Sequence, residues 1–321
     1  MMIMARALMD ESPHAVNKIV AVIKGTDHQN LPYLICRTNM WPEALTSIPH
    51  SQEIGDSSGW VHAEMAAIFQ ATHTEGATIF VTDPPCPNCM KNIIEAGISD
   101  IYVDAKGYQK EFAVRVGADV LAMSTALAER AGVRLWQMDV ENRACTLLTV
   151  QSDKQPLPAD NPPLIERIDN ITPAAFNAHI KRVQASMGAV EVATAFAVNP
   201  QGQAVAITVQ PTLSRGFSAI LRQEDEPYLT QLVLQKYTFL LTALNRLLMT
   251  SRRTGHRLML EHVYTNRVPI SREIVNFIGA GGNTLHIGDP NKSRDEKSLA
   301  ALHLLESHEI LKVVKVKGPV F

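Results

Sequence analysis

Cysteine is scarce in this chain: four among 321 residues, at Cys36, Cys86, Cys89 and Cys145. Two of them form a C-x-x-C and the others are scattered, which excludes a disulfide framework and suits a reducing cytoplasm. Long hydrophobic runs are also missing. No apolar stretch approaches the roughly 20 residues that cross a bilayer, and the opening MMIMARALMDES is too short and too soon charged for a secretory signal. The expectation is a cytoplasmic protein without a membrane partner. Net charge is nearly absent too, at −2, which disfavours nucleic acid as the main partner. The charge is unevenly divided, however. Residues 1–163 carry about −7 and residues 164–321 about +5. Much of the basic excess lies in NRLLMTSRRTGHR and LKVVKVK, either a solvated face or a surface for a polyanion.

What is present is a length that suggests two domains and an ordinary globular composition, 46% hydrophobic and 19% charged. The segment 151–164, QSDKQPLPADNPPL, is rich in proline and polar residues and reads as a linker. It divides the chain into residues 1–150 and 165–321. Before it, VNKIVAVIKG, LPYLICRT, GATIFVTD, SDIYVDA and VRLWQMDV read as strands. Helical spacing runs from His62 to about His73, through CMKNIIEAG, and through GADVLAMSTALAERAG. Such alternation implies a sheet with parallel pairs covered by helices. After the linker the order recurs: a hairpin around Asn199-Pro-Gln-Gly, a long helix over 226–251, then strand, helix, strand, helix and a closing strand. VTDPPCPNCMKNIIEAGISDIYVD aligns without gaps on TNRVPISREIVNFIGAGGNTLHIG. Pro85 meets Pro269, Asn92 meets Asn276, and Ala96-Gly97 meets Ala280-Gly281. The pattern points to a tandem duplication with a diverged second copy.

The first half carries the candidate chemistry. In GWVHAEMAAI, His62 and Glu64 stand two apart at the start of a helix, and Cys86 and Cys89 open another after Pro84-Pro85. One imidazole and two thiolates suit Zn²⁺ in tetrahedral geometry and leave a fourth position for water. Helix starts favour thiolates. Glu64 is not needed as a ligand, and on the same helical turn it can face the water, whose pKa zinc lowers towards about 7. Alone, HAE suits a cap or surface group and C-x-x-C suits a buried or redox pair. The combination H-x-E…P-C-x-x-C is the arrangement of the zinc deaminases.

On VHAEMAAI and TDPPCPNCMKNIIEAGISDIYVD, over roughly residues 15–145, this half resembles the cytidine and deoxycytidylate deaminase superfamily. The resemblance implies an α/β three-layer fold, a five-stranded mixed sheet flanked by helices, here duplicated in tandem. It implies hydrolytic deamination of a nucleobase in a nucleoside, nucleotide or free base. Zinc would sit on His62, Cys86 and Cys89, with Glu64 as proton shuttle. Asn39 matches the family's substrate-contacting asparagine, or else makes an Asx turn before Trp41-Pro42. Ala63, Trp60, Pro85 and Asp83 flank the same pocket, where Trp60 or Trp41 could stack on a base. Asp83 departs from the deoxycytidylate pattern, and Arg37 is the only nearby cation for a 5′-phosphate. A guanine-type purine substrate stays open, as does base editing of tRNA or other RNA. A homodimer is also left open. In the second half Ile270 and Glu273 stand where the cysteines would be, and that half has no cysteine. It is expected to be an inactive deaminase-like domain.

Overall fold

The computed structural model describes all residues except 49–53, 56–58, 111–112, 115–117, 151–154, 189, 231–236 and 317–321. Its first half runs α1 (Met2–Ala7), β1 (Val20–Thr26), β2 (Pro32–Thr38), α2 (Ala63–Gln70), β3 (Thr78–Val81), α3 (Pro87–Glu95), β4 (Asp100–Asp104), α4 (Ala118–Arg130), β5 (Arg134–Asp139) and β6 (Ala144–Leu147). These strands form one sheet in the order β2-β1-β3-β4-β5-β6. β1 pairs antiparallel with both β2 and β3, whereas β3, β4 and β5 run parallel. Parallel neighbours need a crossover, and α3 and α4 supply the two.

The second half runs β7 (Leu164–Arg167), α5 (Pro173–Met187), β8 (Ala193–Val198), β9 (Ala204–Val209), β10 (Thr212–Leu213), α6 (Glu226–Thr230), β11 (Leu240–Leu241), α7 (Ala243–Arg253), β12 (Arg257–Arg267), α8 (Ser271–Gly279), β13 (Thr284–Asp289), α9 (Glu296–Ser307) and β14 (Lys312–Lys315). Its main sheet is ordered β14-β13-β12-β8-β9-β7. The order β9-β8-β12-β13-β14 repeats β2-β1-β3-β4-β5 with the same directions. The expected five-strand order is therefore present twice, and each sheet carries one further edge strand, β6 or β7. β7 starts at Leu164, the last residue read as linker.

The gapless alignment holds in three dimensions. Val81 pairs with Val103 across β3 and β4, and the aligned Thr265 pairs with Ile287 across β12 and β13. Helix α3 falls residue for residue on α8. Both helices end ahead of an aligned glycine with positive φ, 76° at Gly97 and 96° at Gly281, where a left-handed residue closes the last turn.

One expectation fails. The apolar spacing over 226–251 predicts a single helix, but within it Leu240-Leu241 pair as β11 with Thr212-Leu213, and residues 231–236 lie outside the described residues. Helix α7 follows after Thr242. Apolar periodicity cannot tell a continuous helix from two elements that bury the same side chains, and strand pairing decides here.

Side-chain alternation divides the first sheet into two faces. Val20 and Val22 of β1 pack with Met2 and Ala5 of α1 on the outside, while Ala21 and Ile23 face the main core. In the second half α5 covers the outer face, with Phe176 and Ile180 against Phe196 and Tyr264. The inner faces share one apolar core that runs through both halves. Across it α3 packs on α7, and α2 packs on α7 and α8.

The seam also holds buried charge. Glu95 of α3 accepts a hydrogen bond from Thr250 Oγ1 (2.8 Å) and lies 3.6 Å from Arg246 Nε and 3.7 Å from Arg253 Nη2. Arg246, fully buried at 0% exposure, also donates to Asn161 Oδ1 and the Gln210 carbonyl. Arg252 donates to the Ala71 carbonyl. Three arginines of the basic run NRLLMTSRRTGHR thus serve the seam. Lys91 of α3 is buried as well and donates to the Leu240 carbonyl (2.8 Å).

Burial lowers the Lys91 ammonium to about 7. Between that value and the ordinary 10.5 the unfolded chain holds a proton there that the folded chain does not, so the lysine makes stability rise with pH across this window. Lys91→Met is expected to flatten that rise, and to favour the folded state more at pH 7 than at pH 10. Denaturant unfolding at several pH values reads both.

Candidate metal centre

The site is built from two helix starts. His62 is the N-cap of α2 and Cys86 the N-cap of α3, and neither side chain caps its own helix. Pro87 occupies the first position of α3, where its missing N–H costs nothing. Cys89 lies one turn into the helix, so Cys86 and Cys89 are the two positions of a capping box, occupied by sulfur. His62 Nδ1 lies 3.1 Å from Cys89 Sγ and 3.8 Å from Cys86 Sγ. The ligand atoms of the three residues all fall within 4.8 Å of one another, and they are the one such group among the described residues able to hold a metal ion.

The surroundings are dry and polarised. Glu64, 4% exposed, sits on the first turn of α2 and reaches Cys89. Burial pushes its carboxyl up to about 7, opposed by His62. The thiols share a proton unequally: the hydrogen bond from Cys89, with help from His62, holds Cys86 well below the usual thiol range, and Cys89 is pushed up in turn. Thiolate character is what a metal ligand needs.

The remaining candidate residues have partners of their own. Ala63 is buried as the first residue of α2. The Pro85 carbonyl accepts from Ser124 Oγ of α4 (2.9 Å). Asp83 accepts from Lys110 Nζ (2.5 Å) and from Thr82 Oγ1 (2.9 Å). Burial raises its carboxyl while Lys110 opposes the rise. Asn39 Oδ1 accepts from Ser12 Oγ and from the Ile19 N–H, and its amide donates to the Asn17 carbonyl. Asn39 thereby pins the segment between α1 and β1. Trp60 packs its ring on His14 (4.7 Å) and edge-on to Trp41 (5.6 Å).

Sequence reasoning missed Arg272, whose guanidinium donates to the carbonyls of Trp60 and Gly55. The partners are 212 positions apart for Trp60, and no local pattern announces such a pairing.

At the equivalent place in the second half the ligand set is gone. Thr242 is the N-cap residue of α7 where His62 is that of α2, Leu244 stands in place of Glu64, and Ile270 is the N-cap residue of α8 in place of Cys86. Glu273 stands in place of Cys89. Its Oε1 accepts from the N–H groups of Leu244 (2.8 Å) and Asn245 (3.1 Å), and its Oε2 from the Ile270 N–H (3.0 Å). One carboxylate thus ties together the starts of two helices. Glu273→Leu would strand two buried N–H groups, at about 1–3 kcal/mol each, and a part-buried one. Loss of about 2 kcal/mol or more in denaturant unfolding is expected; a loss below about 1 kcal/mol would count against the tie.

Known proteins agree with the geometry of the first half. The family described as the cytidine and deoxycytidylate deaminase zinc-binding region matches residues 1–105. ComE operon protein 2 of Bacillus subtilis (strain 168) is 36% identical over 85 residues, 25% of this chain and 39% of that protein. An uncharacterized deaminase in the luxG 3′ region of Aliivibrio fischeri is 38% identical over 76 residues, 23% of this chain and 50% of that protein. The chain thus spans half or less of the length of these curated relatives. A dCMP deaminase of the cyanophage S-TIM5, solved in complex with dCMP and dUMP, is 23% identical with a TM-score of 0.30, covering 43% of this chain and 93% of that one. That score is too low to bear on the fold, which rests on strand order and register. His62, Glu64, Cys86 and Cys89 all lie inside residues 1–105, the part of this chain that matches the cytidine and deoxycytidylate deaminase zinc-binding region.

Proposed function

We propose that the chain is a zinc-dependent hydrolase that exchanges the exocyclic amino group of a nucleobase for oxygen, releasing ammonia. The substrate class is a small nucleobase, nucleoside or nucleotide, with the cytidine or deoxycytidylate type favoured. The observation that carries this reading is a dry carboxylate, Glu64, against a His/Cys/Cys group at two converging helix starts. In a tetrahedral zinc site nitrogen and sulfur ligands stand roughly 3.3–3.8 Å apart, as follows from Zn–N and Zn–S bonds of about 2.0 and 2.3 Å. The 3.8 Å separation of His62 from Cys86 falls in that range and the 3.1 Å separation from Cys89 lies just below it.

In this reading His62, Cys86 and Cys89 hold the ion. The chemistry such a metal supplies when bound is Lewis acidity, which makes water a usable nucleophile near neutral pH. Glu64 moves the protons. Its carboxyl, raised by burial, is available in both protonation states near neutrality. It accepts a proton from the attacking water, delivers it to the ring nitrogen beside the reacting carbon, and assists departure of the amine as ammonia. The balance is an amine plus water giving a carbonyl plus ammonia. The positive ends of α2 and α3 favour the negative charge of the thiolates.

The catalytic unit would be residues 1–150, joined through 151–164 to a unit 165–321 that lacks the ligands. A small-molecule substrate is favoured over nucleic acid because Arg246, Arg252 and Arg253 of the basic run are occupied at the seam.

Ammonia release should be measured against cytosine, adenine and guanine as bases, nucleosides and monophosphates, with a single-stranded RNA beside them. Turnover of one small molecule is expected. Glu64→Ala should keep its metal and lose turnover by about 10²-fold or more; ammonia release at the wild-type rate would remove Glu64 from the mechanism. Cys86→Ser should lose metal by elemental analysis and unfold at lower temperature, and full metal content would refute its role as ligand.

A further inference from the structure

We infer that Arg272, from the half that lacks the ligand set, is a positioning residue for the metal centre of the other half. This rests on the proposed reading of that centre, but its first readout does not. The described residues that lead into α2 are Ile54-Gly55 and Gly59 to His62. On one side Val61 is fixed by paired backbone hydrogen bonds with Met40, 3.0 and 2.8 Å long. On the other side the start of α8 holds it. Arg272 Nη1 donates to the Trp60 carbonyl at 2.7 Å, and Nη2 donates to the Gly55 carbonyl. Ser271 Oγ accepts the Gly55 N–H at 2.5 Å. At the far end of α8, Gly279 lies so close to Val61 that a Cβ there would come within 2.5 Å of Val61 Cγ2. One helix of the second half therefore grips the ligand-bearing segment at Gly55, Trp60 and Val61, and the last of these is the neighbour of His62.

The grip needs an anchor that does not itself move. Glu273, one position beyond Arg272, ties the start of α8 to the start of α7 through three backbone N–H groups. Ser298 of α9 supports the same turn by accepting the Ser271 N–H at 2.9 Å. Arg272 itself is only 8% exposed. A planar guanidinium can serve two carbonyls at once with fixed geometry, which an ammonium on a flexible stem does less well. The second copy thus keeps its helix start rigid with a carboxylate and presents an arginine at the position aligned with Asn88. That arginine fixes the direction from which His62 enters the metal centre.

The test uses the full chain with Arg272→Ala, Arg272→Lys and Ser271→Ala. The first readout is amide hydrogen exchange over residues 54–62, taken without substrate. Arg272→Ala should raise exchange there by about tenfold or more while β1, β3 and α3 keep wild-type protection. The second is the rate at which zinc passes to a competing chelator, expected to rise in the same variant. If the enzyme turns over a substrate, kcat should fall by about tenfold or more with metal still bound at the start of the assay, and added guanidinium should restore part of it. Arg272→Lys should fall between. If Arg272→Ala does not fold, Ser271→Ala, which removes the hydroxyl that accepts the Gly55 N–H, is read in the same way. Wild-type exchange over 54–62 together with wild-type zinc release, in whichever variant folds, would overturn the proposal. An inactive wild-type chain that still shows the exchange change would overturn the assigned reaction and leave the positioning role standing.

Discussion

The starts of two helices meet in the dry core of each half, and each start leaves backbone N–H groups unpaired with positive charge building towards it. Such a meeting is stable only if something electron-rich lies between the two. In the first half that element is the group formed by His62, Cys86 and Cys89. In the second it is the Glu273 carboxylate, which takes three of the N–H groups directly. Glu273 stands at the position of Cys89, one turn into the helix, and the same strand order occurs with either group at the helix starts.

The Glu273 tie is closed by backbone N–H groups, whereas a His/Cys/Cys group offers only three ligands of a tetrahedral set and leaves the fourth position open. The open centre is the one with a second buried carboxyl, Glu64, beside it. The tied centre has Leu244 there, an apolar side chain with no proton to move. Since the halves share one core, the tied half is also a wall of the open one. Glu95, Arg246 and Lys91 bury charge and hydrogen bonds along that wall, where loss of one partner leaves another uncompensated.

Much of the fold was legible because its signals are local. β-branched runs bounded by turn residues marked the strands, and the alternation of strands with helices implied the parallel pairs that β3, β4 and β5 make. The gapless match of Val81–Asp104 to Thr265–Gly288 carried the strand register of β3 and β4 onto β12 and β13. Two edge strands escaped notice because β6 and β7 are short and exposed, without the alternation that marks a half-buried strand. The helix over 226–251 was misjudged because the apolar side chains of β11 and α7 follow one another at helical spacing, and only pairing of Leu240-Leu241 with Thr212-Leu213 separates them.

By itself, the sequence determined which side chains share a helix start. Spacings of two and three residues place His62 with Glu64, and Cys86 with Cys89, on single turns whatever the rest of the chain does. Tertiary structure decided that these turns converge within 4.8 Å. It also decided that the arginines of a basic run are spent on a seam, that Asn39 and Asp83 have protein partners, and that Arg272 grips Trp60 from 212 positions away. The physical reason is one of range. Backbone geometry fixes neighbours within a turn, while contacts between distant segments depend on how two apolar faces pack, which no short pattern encodes.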